Sequence, residues 1–142
     1  MVNEDKLAGL QLVRALEEGG IPIDGAYWYQ PPEWVNWRLF IVSPWVSELG
    51  PLALYRRAQD VLGTPSSPFE LRLDDLAAIS PADNTYRELA SGLTIRPGTM
   101  DIDRVADPEA GVGATSPGVW ISDAYVYRLR VPADLAHAAR RR

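Results

Sequence analysis

The sequence has no cysteine, one histidine and one lysine among its 142 residues. The absence of cysteine excludes disulfide bonds, thiolate nucleophiles, iron–sulfur clusters and cysteine-based zinc sites. The histidine, His137, lies in a C-terminal segment with weak structural signals. This position argues against a Ser-His-Asp hydrolase, because that chemistry needs a rigidly held imidazole. Because the chain has no disulfide bonds, its stability must come from packing.

Long hydrophobic runs are also missing. The longest aliphatic and aromatic run covers residues 39–42, far short of the ~20 residues that a membrane-spanning helix needs. The first six residues are acidic where a secretory signal peptide would be basic, and no apolar stretch follows them. We therefore expect a cytoplasmic protein without a membrane segment.

Basic residues are scarce outside the C-terminal end. Residues 1–127 contain nine basic and eighteen acidic side chains, whereas residues 128–142 contain five arginines and one aspartate, for a net charge of −5. A negatively charged body repels phosphate backbones, so nucleic-acid binding is disfavoured. We expect one domain over residues 1–131, followed by a short, solvated basic tail over residues 132–142.

The length and the hydrophobic fraction of 46% fit one globular domain. Apolar residues at helical spacing predict three helices, which begin near Asn3, Pro51 and Ser80. The predicted strands cover residues 26–29, 37–43, 69–73, 93–95, 119–121 and 124–131, and residues 76–79 form either a strand or a helical turn. Because strands cluster rather than alternate with helices, the pattern predicts an α+β fold. Its three helices pack on one face of a mostly antiparallel sheet of four to six strands.

Aromatic residues are abundant, with five tryptophans and six tyrosines, most of them near the first hairpin and in the last two strands. Exposed tryptophan and tyrosine anchor protein partners, because they desolvate a large area at low entropic cost. The first hypothesis is therefore a non-catalytic interaction module, for a protein partner or a second copy, with these binding residues: Trp28, Trp34, Trp37, Arg38, Tyr125 and Tyr127. The same rings could instead form the sheet core.

Two other functions stay open. Four carboxylates within nine residues, Asp101, Asp103, Asp107 and Glu109, could hold Mg²⁺ or Ca²⁺ in a phosphodiesterase- or nuclease-type hydrolase, with help from Asp74 or Asp75. Their spacing is not that of an EF-hand, and the alternative without a metal is a solvated acidic loop. The other function is small-molecule binding in an aromatic pocket lined by Tyr27, Tyr125 and Tyr127. The leading hypothesis predicts no cofactor.

Overall fold

The computed structural model describes residues 3–30, 32–33, 35–63, 71–95, 102–107, 117–121 and 123–130. Its helices are α1 (Asn3–Glu18), α2 (Pro44–Leu49), α3 (Pro51–Leu62) and α4 (Asn84–Ile95), and a 3₁₀ turn covers Leu73–Asp75. Its strands are β1 (Gly25–Tyr29), β2 (Arg38–Val42), β3 (Leu76–Ile79), β4 (Ile102–Asp103), β5 (Val119–Ile121) and β6 (Ala124–Leu129). The predicted single α+β domain is confirmed. The basic tail over residues 132–142 lies outside the described residues and stays a prediction.

The six strands form one sheet in the order β3-β2-β1-β6-β4, and β5 pairs with the same edge of β6 as β4. The predicted first hairpin is confirmed, since β1 and β2 pair antiparallel from Gly25 opposite Val42 to Tyr29 opposite Arg38. The question over residues 76–79 is settled as a strand, because Leu76 to Ile79 pair with β2. The sheet therefore centres on the β2, β1 and β6 strands.

The sheet is mixed rather than mostly antiparallel, which corrects the prediction. Strand β3 runs parallel to β2, because the chain between them passes through α2 and α3 before it returns to the sheet. Such a helical crossover is the connection that joins neighbouring parallel strands. The sequence pattern missed α2, whose first turn is capped by the Ser43 hydroxyl accepting the Trp45 backbone N–H at 3.1 Å.

Helices cover both faces of the sheet, not one. Alternation along the strands directs Trp28 and Leu39 toward α1 and α3, in one buried cluster. The intervening Tyr27 and Phe40 belong to a second cluster that includes Tyr86 of α4. The predicted single helical layer is wrong because each of the central strands is buried on both sides.

Two local predictions are also wrong. Residues 93–95 form the last turn of α4 rather than a strand. Residues 71–73 are not a strand either, because Leu73 enters the 3₁₀ turn and the Asp75 carboxylate accepts the Arg72 backbone N–H at 2.9 Å. In both places the apolar alternation is too short to fix a strand, since α4 continues through residues 93–95 and the Asp75 side chain stabilises the 3₁₀ turn.

A bulge in β6 brings an arginine into the core. The pairing of β1 with β6 shifts register between Ala26 and Tyr27, so that Tyr127 is the extra residue. Arg128 therefore lies on the α1 side and is 2% exposed.

Among the residues that the structure describes, no helix has the length and apolar character needed to cross a membrane.

Candidate functional site

Three of the predicted binding residues, Trp28, Tyr125 and Tyr127, lie in the core, and two of them are hydrogen-bonded to each other. Trp28 is 3% exposed, and its indole N–H donates to the Tyr127 hydroxyl at 2.8 Å. The Tyr127 hydroxyl in turn donates to the Lys6 carbonyl of α1. Burial raises the pKa of Tyr127 well above the ordinary tyrosine value, so this hydroxyl stays protonated and keeps both hydrogen bonds. Trp28 and Tyr127 hold α1 against the sheet rather than facing a partner.

Tyr125 forms the floor beneath a surface aromatic group. It is buried, and its hydroxyl accepts the Gly118 backbone N–H at 2.7 Å. Burial raises the pKa of Tyr125, although this hydrogen bond acts in the opposite direction. Its ring meets the Tyr127 ring edge to face at 5.7 Å and the Trp120 ring at 5.1 Å. Tyr125 therefore fixes the position of the more exposed Trp120.

Three residues, which we call the tryptophan patch, lie above Tyr125: Trp37, Trp120 and Lys6. Trp120 of β5 is 51% exposed and meets the half-buried Trp37 edge to face at 5.9 Å. The Lys6 ammonium lies 4.7 Å from the Tyr125 ring centroid and 5.4 Å from that of Trp120, within the range of a cation–π interaction. The patch therefore presents apolar surface held by rigid neighbours from α1, the hairpin loop and β5.

Carboxylates line the cleft beside this patch. The cleft has a volume of about 370 Å³ and is lined by Asp5, Trp28, Asn36, Trp37, Leu71 and Asp75. A second cleft of about 400 Å³ shares Asn36 and Asp75 with it and is otherwise lined by Val35, Arg38 and Asp74. Val35 is 88% exposed. We call this surface the acidic cleft, because its described lining residues include three aspartates and one arginine.

The structure separates the predicted site residues. Trp37 and Arg38 lie at the surface, Trp28, Tyr125 and Tyr127 lie beneath it, and Trp34 lies outside the described residues. Sequence reasoning missed Trp120 and Lys6 as patch residues. The signal for Trp120 was its place in a short edge-strand hairpin, where one face of the strand is left open.

The predicted tyrosine pocket does not form from its three residues. Tyr125 and Tyr127 belong to the buried cluster beneath α1, whereas Tyr27 belongs to the cluster on the other side of the sheet. Tyr27 is a neighbour of Trp28 along β1, and successive side chains of a strand point to opposite faces. The sheet itself therefore lies between Tyr27 and the other two rings.

The predicted metal ligands are described only in part. One carboxylate oxygen of Asp103 accepts the Arg128 Nε at 2.9 Å and the Ala106 backbone N–H at 3.1 Å. Asp107 lies 3.9 Å from the Arg104 guanidinium. Asp101 and Glu109 lie outside the described residues. No group of three or more metal-ligating side chains occurs within the described part of the chain, and the metal site stays a prediction.

Comparison of the chain with protein-family models, with curated proteins and with solved structures returns no match. The proposals below therefore depend on the geometry alone.

Proposed function

We propose that the protein is an interaction module that binds a basic segment of a protein partner across the tryptophan patch and the acidic cleft. The observation that carries this proposal is the half-exposed Trp120, held edge to face against Trp37 beside a cleft lined by Asp5 and Asp75. Apolar surface and negative charge thus occur side by side on one end of the molecule.

The rings supply the binding energy in this proposal. Truncating a tryptophan at the centre of an interface can cost about 2 kcal/mol or more of binding free energy, because the partner removes the large apolar surface of the ring from water. Trp120 loses little conformational entropy on binding, since Trp37 and Tyr125 already restrict its ring. A preordered ring of this kind increases affinity by lowering the ordering cost.

The charges select the partner. The chain carries a net charge of −5, and aspartates line the cleft. Such a surface attracts a basic segment over long range and repels an acidic one. Arginine fits the acidic cleft best, because its planar guanidinium pairs with carboxylates, whereas the Lys6 ammonium already lies over the Tyr125 and Trp120 rings.

A random peptide library selected against the immobilised protein tests the proposal. We expect enriched sequences to combine arginine or lysine with apolar residues. Trp120→Ser should lower the affinity for the selected peptides by about 30-fold, which corresponds to a loss of about 2 kcal/mol of binding free energy. Asp75→Asn should weaken them less and should reduce the salt dependence of binding.

Leu52→Ser provides the matched control, because Leu52 is an exposed apolar residue of α3 at 57% exposure that lines neither cleft. It should leave peptide binding unchanged. Acidic or uncharged selected sequences, or equal losses in Trp120→Ser and Leu52→Ser, would overturn the proposal. A concentration-dependent dimer that Trp120→Ser abolishes would instead assign the surface to a second copy of the chain.

A further inference from the structure

A half-open cavity lies on the α4 side of the sheet, opposite the tryptophan patch. Its volume is about 250 Å³, and its lining comes from β1, α4 and the β5–β6 hairpin: Tyr27, Tyr29, Thr85, Glu88, Leu89, Ile121, Asp123 and Ala124. This volume is below the roughly 300–1,000 Å³ of pockets for drug-sized ligands. The cavity therefore suits a small organic molecule.

Tyr27 in this lining carries an unsatisfied hydroxyl. The residue is 1% exposed, and its ring stacks on Phe40 at 5.3 Å. Within the described residues, the Tyr27 hydroxyl is the one buried side-chain polar atom without a hydrogen-bond partner. By contrast, the buried Tyr86 on the same face donates its hydroxyl to the Arg130 carbonyl. A buried unpaired hydroxyl costs about 1–3 kcal/mol, so its place in a cavity wall points to a missing partner.

Two carboxylates, those of Glu88 and Asp123, give the cavity a negative charge. No arginine, lysine or histidine occurs among its described lining residues. The pKa of the Tyr27 hydroxyl is raised, first by burial and then by the nearby charge of Asp83, so the hydroxyl stays neutral and its oxygen is available as an acceptor. The cavity therefore combines negative charge at its polar side chains with a protonated phenol in its wall.

We infer that this cavity binds a small organic ammonium ion, with the cation near Glu88 and Asp123, the apolar body against Leu89 and Ile121, and one ammonium N–H donated to the Tyr27 hydroxyl oxygen. The Tyr29 ring supplies an aromatic face for the cation or for the apolar body. Less than 1 Å² of the Tyr27 oxygen is open to water. Binding at this oxygen therefore requires a side-chain rearrangement in the cavity wall.

Three probes with one apolar body and different charges test this inference: 2-phenylethylamine, 2-phenylethanol and 3-phenylpropionate. Each is titrated into the isotope-labelled full chain at neutral pH and followed by NMR. We expect the amine alone to bind, with shifts in the backbone resonances of Leu89 and Ala124. Tyr27→Phe should lower the affinity for the amine by roughly three- to tenfold, which is the effect of losing one hydrogen bond.

The double variant Glu88→Gln with Asp123→Asn should abolish the preference for the amine over the alcohol. Glu48→Gln is the matched control, because Glu48 is an exposed acid on α2 outside the cavity, and it should leave binding unchanged. The inference is overturned by equal binding of the three probes, by no binding of the amine, or by shifts confined to the tryptophan patch. It is also overturned if Glu48→Gln weakens the amine as much as the double variant does.

Discussion

At the scale of single residues, Tyr27 and Tyr127 make a contrasting pair. Both are almost completely buried, and each lies on one of the two central strands. The Tyr127 hydroxyl accepts from Trp28 and donates to the Lys6 carbonyl, whereas the Tyr27 hydroxyl has no partner in the described residues. The same chemical group therefore stabilises the fold at one position and opposes it at the other.

Replacing each tyrosine by phenylalanine should separate these effects. Tyr127→Phe leaves the Trp28 indole N–H unpaired, so we expect it to lower the free energy of unfolding by about 1–3 kcal/mol. Tyr27→Phe removes an unpaired group, so it should leave stability unchanged or raise it by about 1 kcal/mol. Urea denaturation measures both values. A comparable loss in the two variants would show that the Tyr27 hydroxyl is satisfied in solution.

At the scale of elements, Gly9 controls how closely α1 approaches the sheet. A Cβ atom at this position would lie 2.6 Å from the Tyr127 hydroxyl and 2.8 Å from the Trp28 Nε1. Both distances are too short for an ordinary contact, and both atoms are fixed in the core by their mutual hydrogen bond. Glycine at this position lowers the helix propensity of α1, but it lets the helix pack closely against Trp28 and Tyr127 of the sheet.

Gly9→Ala should destabilise the protein although alanine is the better helix former by about 1 kcal/mol. We expect a net loss of about 1–3 kcal/mol, the usual cost of overpacking a core, measured by thermal melting. Gly19→Ala, where the Cβ would lie 3.4 Å from the nearest atom, serves as the control and should change stability little. A stability gain in Gly9→Ala would mean that α1 lies farther from β6.

Two ion pairs of the buried Arg128 connect β6 with α1 and β4. Arg128 of β6 donates to Glu17 of α1 and to Asp103 of β4, each at 2.9 Å. Arg128 is 2% exposed, while the two carboxylate side chains remain 39% and 33% exposed. The positive charge of the Arg128 guanidinium is therefore the most deeply buried of the three charges, and it depends most on its carboxylate partners.

A double-mutant cycle should detect this coupling. Asp103→Asn preserves the shape and the acceptor for Ala106 but removes the charge, so we expect it to cost about 1–2 kcal/mol, less than for a fully buried pair. The loss should be near zero in an Arg128→Met background.

The alternative metal-dependent hydrolase predicts a different result. In that case Mg²⁺ raises the melting temperature of the parent protein, and Asp103→Asn abolishes the rise.

The elements differ in how well their sequence predicts them. Helices α1 and α3 and the first hairpin carry long periodic patterns and clear end signals, and all three are confirmed. The parallel pairing of β3 could not be predicted, because strand direction depends on the path through α2 and α3 rather than on local residues. The bulge at Tyr127 was equally inaccessible, since the register shift arises from pairing with β1.

The same limit applies to the candidate site. Aromatic abundance predicted both Trp28 and Trp37 as binding residues, but only the fold distinguishes the half-buried Trp37 from the buried Trp28. Trp120 and Lys6 are 114 residues apart in the sequence and meet because β5 and α1 lie beside Tyr125. Contacts over such a separation leave no local pattern in a single sequence.

At the scale of the whole molecule, the buried tyrosines should make stability fall in alkali. Burial raises the pKa values of Tyr27 and Tyr127 above the ordinary value of 10.0. Above about pH 10 the unfolded chain loses these protons while the folded chain keeps them, so the unfolded state binds fewer protons and stability decreases as pH rises. Below pH 10 this contribution is complete.

Urea denaturation at a series of alkaline pH values measures this decrease, and Tyr27→Phe should make it less steep by removing one of the tyrosines whose pKa is raised by burial. Absorbance at the phenolate wavelength should rise together with unfolding for these residues. A phenolate signal from all six tyrosines in a still-folded protein would contradict the expected burial.

The two faces of the sheet give the molecule two separate proposed sites at the same end of its central strands. The tryptophan patch lies on the α1 side with Trp37 and Trp120, and the cavity lies on the α4 side with Tyr27 and Glu88. Trp28, which lies in the core on the α1 side, and Tyr27, which lines the cavity, are neighbours in β1, so one strand separates the two proposed sites.

The most direct test of the interaction module follows the indole N–H resonances of the five tryptophans by NMR. The chain is titrated with a short peptide that alternates arginine and leucine, and separately with one in which glutamate replaces arginine. We predict that the basic peptide shifts the Trp37 and Trp120 resonances and leaves that of Trp45 on α2 unchanged, while the acidic peptide shifts none. Equal responses to both peptides, or no response at Trp37 and Trp120, would contradict the proposed function.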